Sequence, residues 1–354
     1  MSLYFFVLII LTILALTEVL LREKKISFIT ISVMSLMAGL RFFTGYDFIS
    51  YKNFFEKIDN VSDVFNGSID AEKGYLFLNF IFSKLELNFY FFILVFSLLS
   101  IGLLGYFVYK HTPFPSLFLM YYYARFFLVR DMGQIRSSLA CIILLYAIPF
   151  MIKKKPAPFL LIVFLASLFH ITAWFFIVVY LFNIIFEKLT TKTVIGLLIL
   201  STIIGLVIQI PQLYTWAIPD RYIAYFTSPS YTDGSWIMNP VLWMQVGIFF
   251  GVFYLCIQSN LEEQKFIEGM LKVYLLSSLI LISAGTLGTV GGRISTLFST
   301  SEVFLVPYLF MNLTRNKLSN LLLYFAFTFF ILCLIFVVSG TYTEYIPYQT
   351  IFSF

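Results

Sequence analysis

The arginines and the lysines of this chain stand at different ends of its apolar runs. Six of the eight arginines share one set of ends: Arg41, Arg125, Arg130, Arg136, Arg221 and Arg293. The lysines concentrate in the short connections at the opposite ends, as at Lys24, Lys153 and Lys188. A guanidinium is planar, always charged and able to bind a phosphate through two parallel hydrogen bonds, whereas a lysine ammonium acts as a point charge. The separation predicts that the chain handles an anionic ligand at one of its two faces.

The segment from Arg41 to Tyr51 places a cation, a turn residue and an acid close together in sequence. Gly45 permits a turn that would bring Asp47 back toward Arg41. Asp47 is then either a catalytic carboxylate or the partner of Arg41 in an ion pair that caps the preceding apolar run. The sequence leaves both roles open.

A second cluster contains three guanidiniums within twelve residues, at Arg125, Arg130 and Arg136. These cations repel one another unless Asp131 or a bound anion neutralises them. Extension of the side chains toward lipid headgroups is the alternative, but it does not explain the choice of arginine over lysine. We therefore expect Arg130 and Arg136 to bind an anion, whereas headgroup contact is the better prediction for Arg125.

The chain has two histidines, and His111 lies beside Lys110 at the lysine-rich face. His170 stands at the arginine-rich face, within the segment from Phe169 to Ala173. With an unperturbed pKa of about 6.5, imidazole is suited to take a proton from a hydroxyl group. A single histidine among apolar helices also serves as a hydrogen-bond partner between helices, so the residue alone leaves both roles open.

Three further charged residues need an interpretation. Arg221 is flanked by Asp220 and Tyr222, and Arg293 follows two glycines that allow a ligand to approach the backbone closely. Glu302 lies nine residues beyond Arg293 in the same apolar run, which is too far along a helix for a direct pair. We expect a structural role for Glu302.

These side chains require a membrane-spanning scaffold. Of the 354 residues, 60% are hydrophobic and 12% charged, and the mean hydropathy is +0.94, whereas soluble domains carry about 25% charged residues. Lipid offers the backbone no hydrogen-bond partners, so the spans must be helical. We predict an all-α, polytopic integral membrane protein with about twelve transmembrane helices, some of them short or broken. The predicted spans are at about 3–21, 26–43, 89–109, 114–130, 134–152, 158–169, 171–187, 193–210, 240–258, 267–288, 294–312 and 319–338.

The basic residues also predict the orientation of the chain. Arg22, Lys24 and Lys25 place the first connection in the cytoplasm by the positive-inside rule. Alternation then puts the later short basic connections on the same side, and both termini outside. We expect residues 1–354 to form a single transmembrane domain with outer loops at about 44–74 and 211–239.

Two stretches do not fit a regular bundle. The run from Pro158 to Glu187 has about 30 residues, too few for two full crossings. We expect two short helices that meet near His170. Residues 75–88 form another short apolar piece, which we place at the outer interface.

The sequence lacks HExxH, Walker and GxSxG motifs and any cluster of cysteine and histidine. Its formal charge of +5 comes from loop anchors and predicts no nucleic-acid partner. The three cysteines lie far apart in apolar runs and are typical of buried small residues. These observations favour chemistry without a metal or cofactor, on a lipid that carries phosphate.

The residues singled out above also resemble the motifs of the EpsG family of polysaccharide polymerases, relatives of the Wzy-type O-antigen polymerases. In that family an arginine closes the second span and a Gly-x-Asp-x-x-x-Tyr segment follows. This chain has Arg41, then Gly45, Asp47 and Tyr51.

Four later segments resemble further motifs of the family, and the resemblance covers nearly the whole chain. They are an acidic-x-Gly-aromatic segment, an Ile-Arg segment with a later Ala, a Phe-His-x-Thr-Ala segment and a Gly-Arg-Ile segment, at Glu72 to Tyr75, Ile135 to Ala140, Phe169 to Ala173 and Gly292 to Ile294. Ser137 departs from the glutamine that is usual after the arginine, so the hydrogen bond of that amide is lost or supplied by Gln134.

The resemblance implies an enzyme of the bacterial cytoplasmic membrane that joins oligosaccharide repeat units carried on a polyprenyl diphosphate. The growing glycan would move from its lipid diphosphate to the non-reducing sugar of a new lipid-linked unit. His170 would be the general base, and Asp47 is the second candidate for this role. The diphosphate would be bound by Arg136, Arg221 and Arg293, and also by Arg130. Arg41 would either join them or form an ion pair with Asp47. Tyr51 would contact the glycan, and a chain-length regulator would be the protein partner.

A flippase for lipid-linked oligosaccharides is the principal alternative. A flippase needs an arginine-lined path to the inner face, where this chain has lysines. A ligase for O-antigen usually has one very long outer loop late in the chain, whereas the predicted loop at residues 211–239 is of modest length. A channel needs polar residues along several spans, and the spans here carry few away from the outer end.

Overall fold

The structure is a computed structural model that describes residues 1–232, 236–258 and 264–352. Helices dominate it, as predicted for an all-α membrane protein. The α-helices of the first half are α1 (Ser2–Leu21), α2 (Ile26–Gly39), α3 (Phe48–Glu56), α4 (Val61–Phe65), α5 (Lys73–Lys84), α6 (Phe89–His111), α7 (Pro115–Tyr122), α8 (Ile135–Leu145), α9 (Ile148–Ile152) and α10 (Pro156–Ser167). Those of the second half are α11 (Ile177–Ile185), α12 (Thr191–Ile208), α13 (Asp220–Thr227), α14 (Pro229–Thr232), α15 (Pro240–Gln258), α16 (Gln264–Ala284), α17 (Gly288–Ser299), α18 (Glu302–Met311) and α19 (Lys317–Leu332).

Several helices are extended or linked by turns of other types. A π-helical segment continues α7 over Tyr123–Phe127 and another continues α19 over Cys333–Val338. The 3-10 segments are Ile171–Phe176, Pro211–Leu213, Thr215–Ala217, Trp236–Met238 and Thr341–Glu344. The predicted loops at 44–74 and 211–239 are therefore partly helical.

Six helices of the described part are long and apolar enough to cross a membrane. They are Ser2–Leu21, Phe89–His111, Ile135–Ile152, Thr191–Ile208, Gln264–Ala284 and Lys317–Val338. The bent pair Val290–Ser299 and Glu302–Met311 makes a seventh if it counts as one span. The chain is thus a multi-pass helical membrane protein, while the number of twelve spans and the outside location of both termini stay predictions.

The span predicted at 294–312 is a broken one, since α17 and α18 form a pair bent by 55°. Another predicted span is wrong in detail. The span predicted at 26–43 ends at Gly39, and Arg41–Phe42 form a short strand, β1. This strand pairs antiparallel with β2 (Gln349–Thr350), so that Arg41 faces Thr350 and Phe42 faces Gln349. The two strands lie far apart in sequence, so their pairing depends on the tertiary fold.

The predicted break near His170 is confirmed. α10 ends at Ser167, and a 3-10 turn from Ile171 leads into α11. Both flanking apolar helices, Pro156–Ser167 and Ile171–Ile185, are shorter than the six long ones. The predicted short apolar piece at 75–88 is likewise a helix, α5.

The chain divides into two compact units. Unit 1 comprises Met1–Ile143, Phe164–Ile171 and Phe310–Phe354, and unit 2 comprises Leu144–Val163 and Thr172–Leu309. The prediction of a single transmembrane domain stays a prediction.

Unit 1 contains an aromatic core to which the 44–74 segment contributes. Its buried members come from α3 to α6 and from α8: Phe48, Tyr51, Ile58, Val64, Ile69, Tyr75, Leu76, Phe89, Phe92, Ile93, Phe96, Ile135 and Leu139. Burial of one such side chain contributes about 1.5–3 kcal/mol. The core fixes the two short helices α3 and α5 against the long helix α6.

Unit 2 is organised around α16, which packs against α12, α15 and α17. The Lys272 ammonium on α16 is buried and donates to the Asn183 side chain at 2.9 Å and to the Glu187 carbonyl at 2.8 Å. Glu302 is also buried and accepts a hydrogen bond from the Tyr274 hydroxyl at 2.8 Å. This contact agrees with the structural role expected for Glu302.

Candidate functional site

The side chains of Arg136 and Glu72 form an ion pair in unit 1. Arg136 lies in the first turn of α8, and Glu72 immediately precedes α5. The Nη1 atom of Arg136 binds the Oε2 atom of Glu72, and both side chains are largely shielded from solvent, with exposed fractions of 22% and 17%. Because the pair is partly buried, it is screened less than a surface pair.

Three aromatic rings surround the Arg136 guanidinium. Its Cζ atom lies 5.8 Å from the ring centre of Tyr51, 5.5 Å from Phe54 and 5.8 Å from Tyr75. Guanidinium–ring contacts at such distances are attractive and hold the cation in a fixed plane. Its Nε atom is buried without a hydrogen-bond partner. The Arg136 guanidinium is therefore in contact with Glu72 and three rings, and its Nε donor is left unpaired.

The second oxygen of Glu72 reaches the segment that contains His170. Oε1 accepts a hydrogen bond from the Ile171 backbone N–H at 3.3 Å. The Gly74 N–H donates to the Leu168 carbonyl at 2.9 Å. His170 itself is half-buried. The residues on either side of His170 are thus bound to the start of α5.

Tyr51 and Tyr75 belong to the aromatic core. Their exposed fractions are 2% and 0%, and their ring centres lie 5.7 Å apart. Burial raises the pKa of the Tyr51 phenol, and the nearby Asp47 carboxylate adds to the shift. Tyr51 is therefore neutral at physiological pH. Its assignment to the glycan stays a prediction, and its observed neighbours are Arg136 and Tyr75.

Arg41 is fully buried next to this core. Its Nη1 atom donates to the Ala38 carbonyl, and its Cζ atom lies 5.6 Å from the ring centre of Phe48. Among the described side chains, no ion pair joins Arg41 to Asp47, so the expected cap of the preceding run is not formed. The Nε and Nη2 atoms have no hydrogen-bond partner. A buried cation in this state is costly unless an anion neutralises it.

The predicted turn at Gly45 is present, with φ at +101°. Asp47 follows it and is half-buried at the start of α3. The turn thus places Asp47 near Tyr51 and not against the Arg41 guanidinium. The proposed catalytic role of Asp47 stays a prediction.

Two tyrosines of the segment 342–348, Tyr345 and Tyr348, lie near the Arg41 guanidinium, and sequence reasoning missed them. The Tyr345 hydroxyl donates to the Leu128 carbonyl at 2.6 Å, and the Tyr348 hydroxyl donates to the Met37 carbonyl at 2.8 Å. The Tyr4 hydroxyl in turn donates to the Tyr345 carbonyl at 2.7 Å. Three tyrosines within the segment 342–348 were the available signal.

Asp131 is buried among hydroxyl groups. It accepts hydrogen bonds from Tyr122 at 2.5 Å, from Ser138 at 2.9 Å and from Ser100 at 3.1 Å. Arg130 is buried too, with its Cζ atom 4.0 Å from the ring centre of Phe126. Three neutral donors therefore stabilise the Asp131 carboxylate. The assignment of Arg130 to the anion stays a prediction.

The two remaining predicted arginines belong to unit 2. Arg293 is exposed in the second turn of α17, two residues after Gly291. Arg221 lies in α13, but its side chain is outside the part that the structure describes. In the described residues no group of three or more histidine, cysteine or acidic side chains is close enough to hold a metal ion. The metal-independent reaction stays a prediction.

Unit 1 thus brings together residues from four of the five motifs noted in the sequence. Arg41 and Tyr51 come from the first, Glu72 and Tyr75 from the second and Arg136 from the third, and the turn at His170 carries the fourth. The sequence indicated Glu72 only as part of a motif. Its contacts with Arg136 and with the Ile171 N–H were not predicted, because they depend on the tertiary fold.

Comparisons with known proteins agree with these motifs. A protein of Erwinia amylovora described as amylovoran biosynthesis protein AmsC is 24% identical over 268 residues, which cover 75% of this chain and 67% of that protein. No solved structure matches the chain. The EpsG family model matches residues 24–350. Because this match takes in all five motif segments, from Arg41 to Arg293, the chain belongs to the EpsG family.

Proposed function

We propose that this protein polymerises oligosaccharide repeat units carried on a polyprenyl diphosphate. It would act at the outer face of the bacterial cytoplasmic membrane. Membership of the EpsG family supports a role in polysaccharide biosynthesis, as does the similarity to a protein described as an amylovoran biosynthesis protein. The substrate is then a glycan on a lipid, and a chain with several apolar helices is suited to receive it.

One observation supports a specific reaction, the transfer of a glycan from a lipid diphosphate. The carboxylate of Glu72 contacts both Arg136 and the backbone beside His170. This contact supports the proposal because it links, within one unit, the residue proposed to bind phosphate with the segment that carries the proposed proton acceptor. Transfer of a glycan from a diphosphate needs both groups close to the reacting atoms.

In the proposed reaction a hydroxyl oxygen of the acceptor sugar attacks the anomeric carbon of the growing glycan. The new C–O bond forms as the bond from that carbon to the lipid diphosphate breaks. The hydroxyl proton passes to His170, or to Asp47 as the second candidate. The lipid diphosphate leaves with the electron pair of the broken bond, and the glycan is longer by one repeat unit.

Arginine suits the leaving group in this reaction. Negative charge on the diphosphate increases as its bond to carbon breaks, and fixed cations stabilise that charge in a site from which water is excluded. Arg136 is held among three rings and has a free Nε donor, and Arg41 has two free donors. These atoms are where we place the phosphate oxygens. Arg130, Arg221 and Arg293 are further candidates from the resemblance.

The proposal also includes the side of the membrane on which the reaction takes place, its cofactor requirement and its protein partner. Both termini and the segments 44–74 and 211–239 would lie outside the cytoplasmic membrane, where lipid-linked units arrive. The proposal invokes no metal and no cofactor. A chain-length regulator would be the protein partner and would act on the number of units added.

The test is deletion of the gene followed by gel separation of the surface glycan. We expect the ladder of long chains to disappear and a single-repeat band to survive. Complementation with the wild-type gene should restore the ladder. A His170→Ala gene should not, because loss of a general base typically costs about 10²–10⁴-fold in rate. If the single-repeat band also disappears and lipid-linked units accumulate inside, the protein is a flippase and the proposal is wrong.

A further inference from the structure

Glu72 occupies a position between two segments that are far apart in sequence. It immediately precedes α5 with an extended backbone, at φ −70° and ψ 141°. Its Oε2 atom contacts the Arg136 guanidinium, and its Oε1 atom accepts from the Ile171 N–H at 3.3 Å. Each oxygen of one carboxylate thus holds a different segment.

A second contact holds the His170 turn from its other side. The Gly74 N–H donates to the Leu168 carbonyl at 2.9 Å. A Cβ atom at position 74 would lie 2.6 Å from that carbonyl oxygen and 2.7 Å from the Leu168 Cβ. Only glycine allows this approach. The backbone on both sides of His170 is therefore bound to residues 72–74.

The chain near His170 changes from one helix type to another, and the N–H groups of Phe169 and His170 donate to the Ala166 carbonyl. α10 ends at Ser167, and a 3-10 turn starts at Ile171. Such turns have poorer hydrogen-bond geometry than an α-helix. The side chain of Phe169 packs against the aromatic core, which also contains Tyr75. The contacts with residues 72–75 thus add to the hydrogen bonds within the turn and join it to the start of α5.

We propose that Glu72 is a positioning residue that sets the distance between Arg136 and His170. The inference rests on the proposed function, in which these two residues serve the leaving group and the acceptor hydroxyl. In this proposal Glu72 touches neither the diphosphate leaving group nor the acceptor hydroxyl. It acts because a misplacement of about 1 Å lowers the rate of such a reaction by about 10²-fold.

The first test measures the turn itself. Hydrogen–deuterium exchange in detergent, read from a peptide that contains residues 168–174, should be faster in Glu72→Ala than in the wild type. Glu72→Gln keeps the shape and one acceptor oxygen, and it should give an intermediate rate. The matched control is Glu56→Gln, which removes an exposed acid of α3 that pairs with Lys52 at 3.6 Å. Equal exchange in all four proteins would overturn the proposal.

The second test measures polymerisation by the purified proteins with a synthetic polyprenyl-diphosphate repeat unit. For Glu72→Ala we expect kcat to fall about 10²-fold with KM within about threefold of the wild type. Glu72→Asp keeps the charge and should recover part of the loss. A rise in KM with unchanged kcat would contradict the positioning role of Glu72. Full activity of both Glu72→Gln and Glu72→Ala would contradict it too.

The two tests separate the two proposals. If exchange at the His170 turn responds to Glu72 but the wild type makes no polymer, the contact is real and the proposed function fails. If the wild type polymerises and Glu72→Gln changes neither exchange nor kcat, the function stands and the positioning role fails.

Discussion

The backbone N–H of Gly45 donates a hydrogen bond to the carbonyl oxygen of Glu344 at 3.0 Å. Gly45 belongs to the turn that follows Arg41, and Glu344 lies in the 3-10 segment near the far end of the chain. A Cβ atom at position 45 would lie 2.1 Å from the Met132 carbonyl oxygen. Three segments of unit 1 therefore meet at a residue without a side chain.

Gly45→Ala should destabilise the protein far more than Gly67→Ala. Both glycines have positive φ, at +101° and +76°, and alanine in this region costs about 1–2 kcal/mol. Only Gly45 has a close neighbour, because nothing lies within 4 Å of the Cβ position at Gly67. The measurement is thermal unfolding of both variants in mild detergent. Equal losses in the two proteins would contradict the contact at Gly45.

Arg136→Lys should lower polymerisation about 10²-fold although the charge is kept. Lysine cannot supply the planar pair of donors, and it loses the contacts with the three rings. The measurement is the initial rate of glycan elongation by purified protein at equal protein amounts.

The matched control for Arg136 is Arg315→Lys. Arg315 is exposed, following α18, and is outside the site. We expect its elongation rate to equal that of the wild type. Normal elongation by Arg136→Lys would remove Arg136 from the diphosphate site.

Tyr122→Phe and Asp131→Asn should each lower the free energy of unfolding by about 1–3 kcal/mol. Each removes part of a buried contact of 2.5 Å. The double variant should lose less than the sum of the two, because the residues share one hydrogen bond. Chemical unfolding in detergent measures all three. Asp70→Asn changes an exposed acid and should have no effect, and strict additivity would contradict the pairing.

Cysteine labelling tests the predicted orientation. In a background without the three native cysteines, a membrane-impermeant maleimide should label Ser68→Cys in intact cells. Lys155→Cys should be labelled only after the cells are opened, because the positive-inside rule places it in the cytoplasm. Both positions are exposed. The opposite pattern would place the Arg136 site at the cytoplasmic face and contradict the proposed location of the reaction.

Hydropathy and length predicted most of the helices, including the break near His170. That break follows from a run of about 30 residues that is too short for two crossings. The bend between α17 and α18 escaped prediction because the residues on both sides are apolar enough for one span. Hydropathy reports burial in lipid and says little about the direction of an axis.

The motifs did not predict which groups their side chains contact. A pair of Arg41 with Asp47 was one of two roles left open, and Arg41 instead lies in a strand whose partner is Thr350. Asp131 was one of two candidates to neutralise the nearby arginines, and the sequence did not predict that three hydroxyls from separate helices donate to it. Such contacts depend on tertiary packing, which a single sequence does not report.

The pairing of β1 with β2 has a consequence for synthesis of the protein. Arg41 is made well before residues 341–351, which include its strand partner Thr350. Until the ribosome has released them, the nascent chain carries an uncovered guanidinium beside an edge strand with unpaired backbone groups. Contacts of such sequence separation form slowly. Assembly of the site therefore waits until residues 341–351 have been made, and a chain that stops after Gly340 should insert into the membrane but stay inactive.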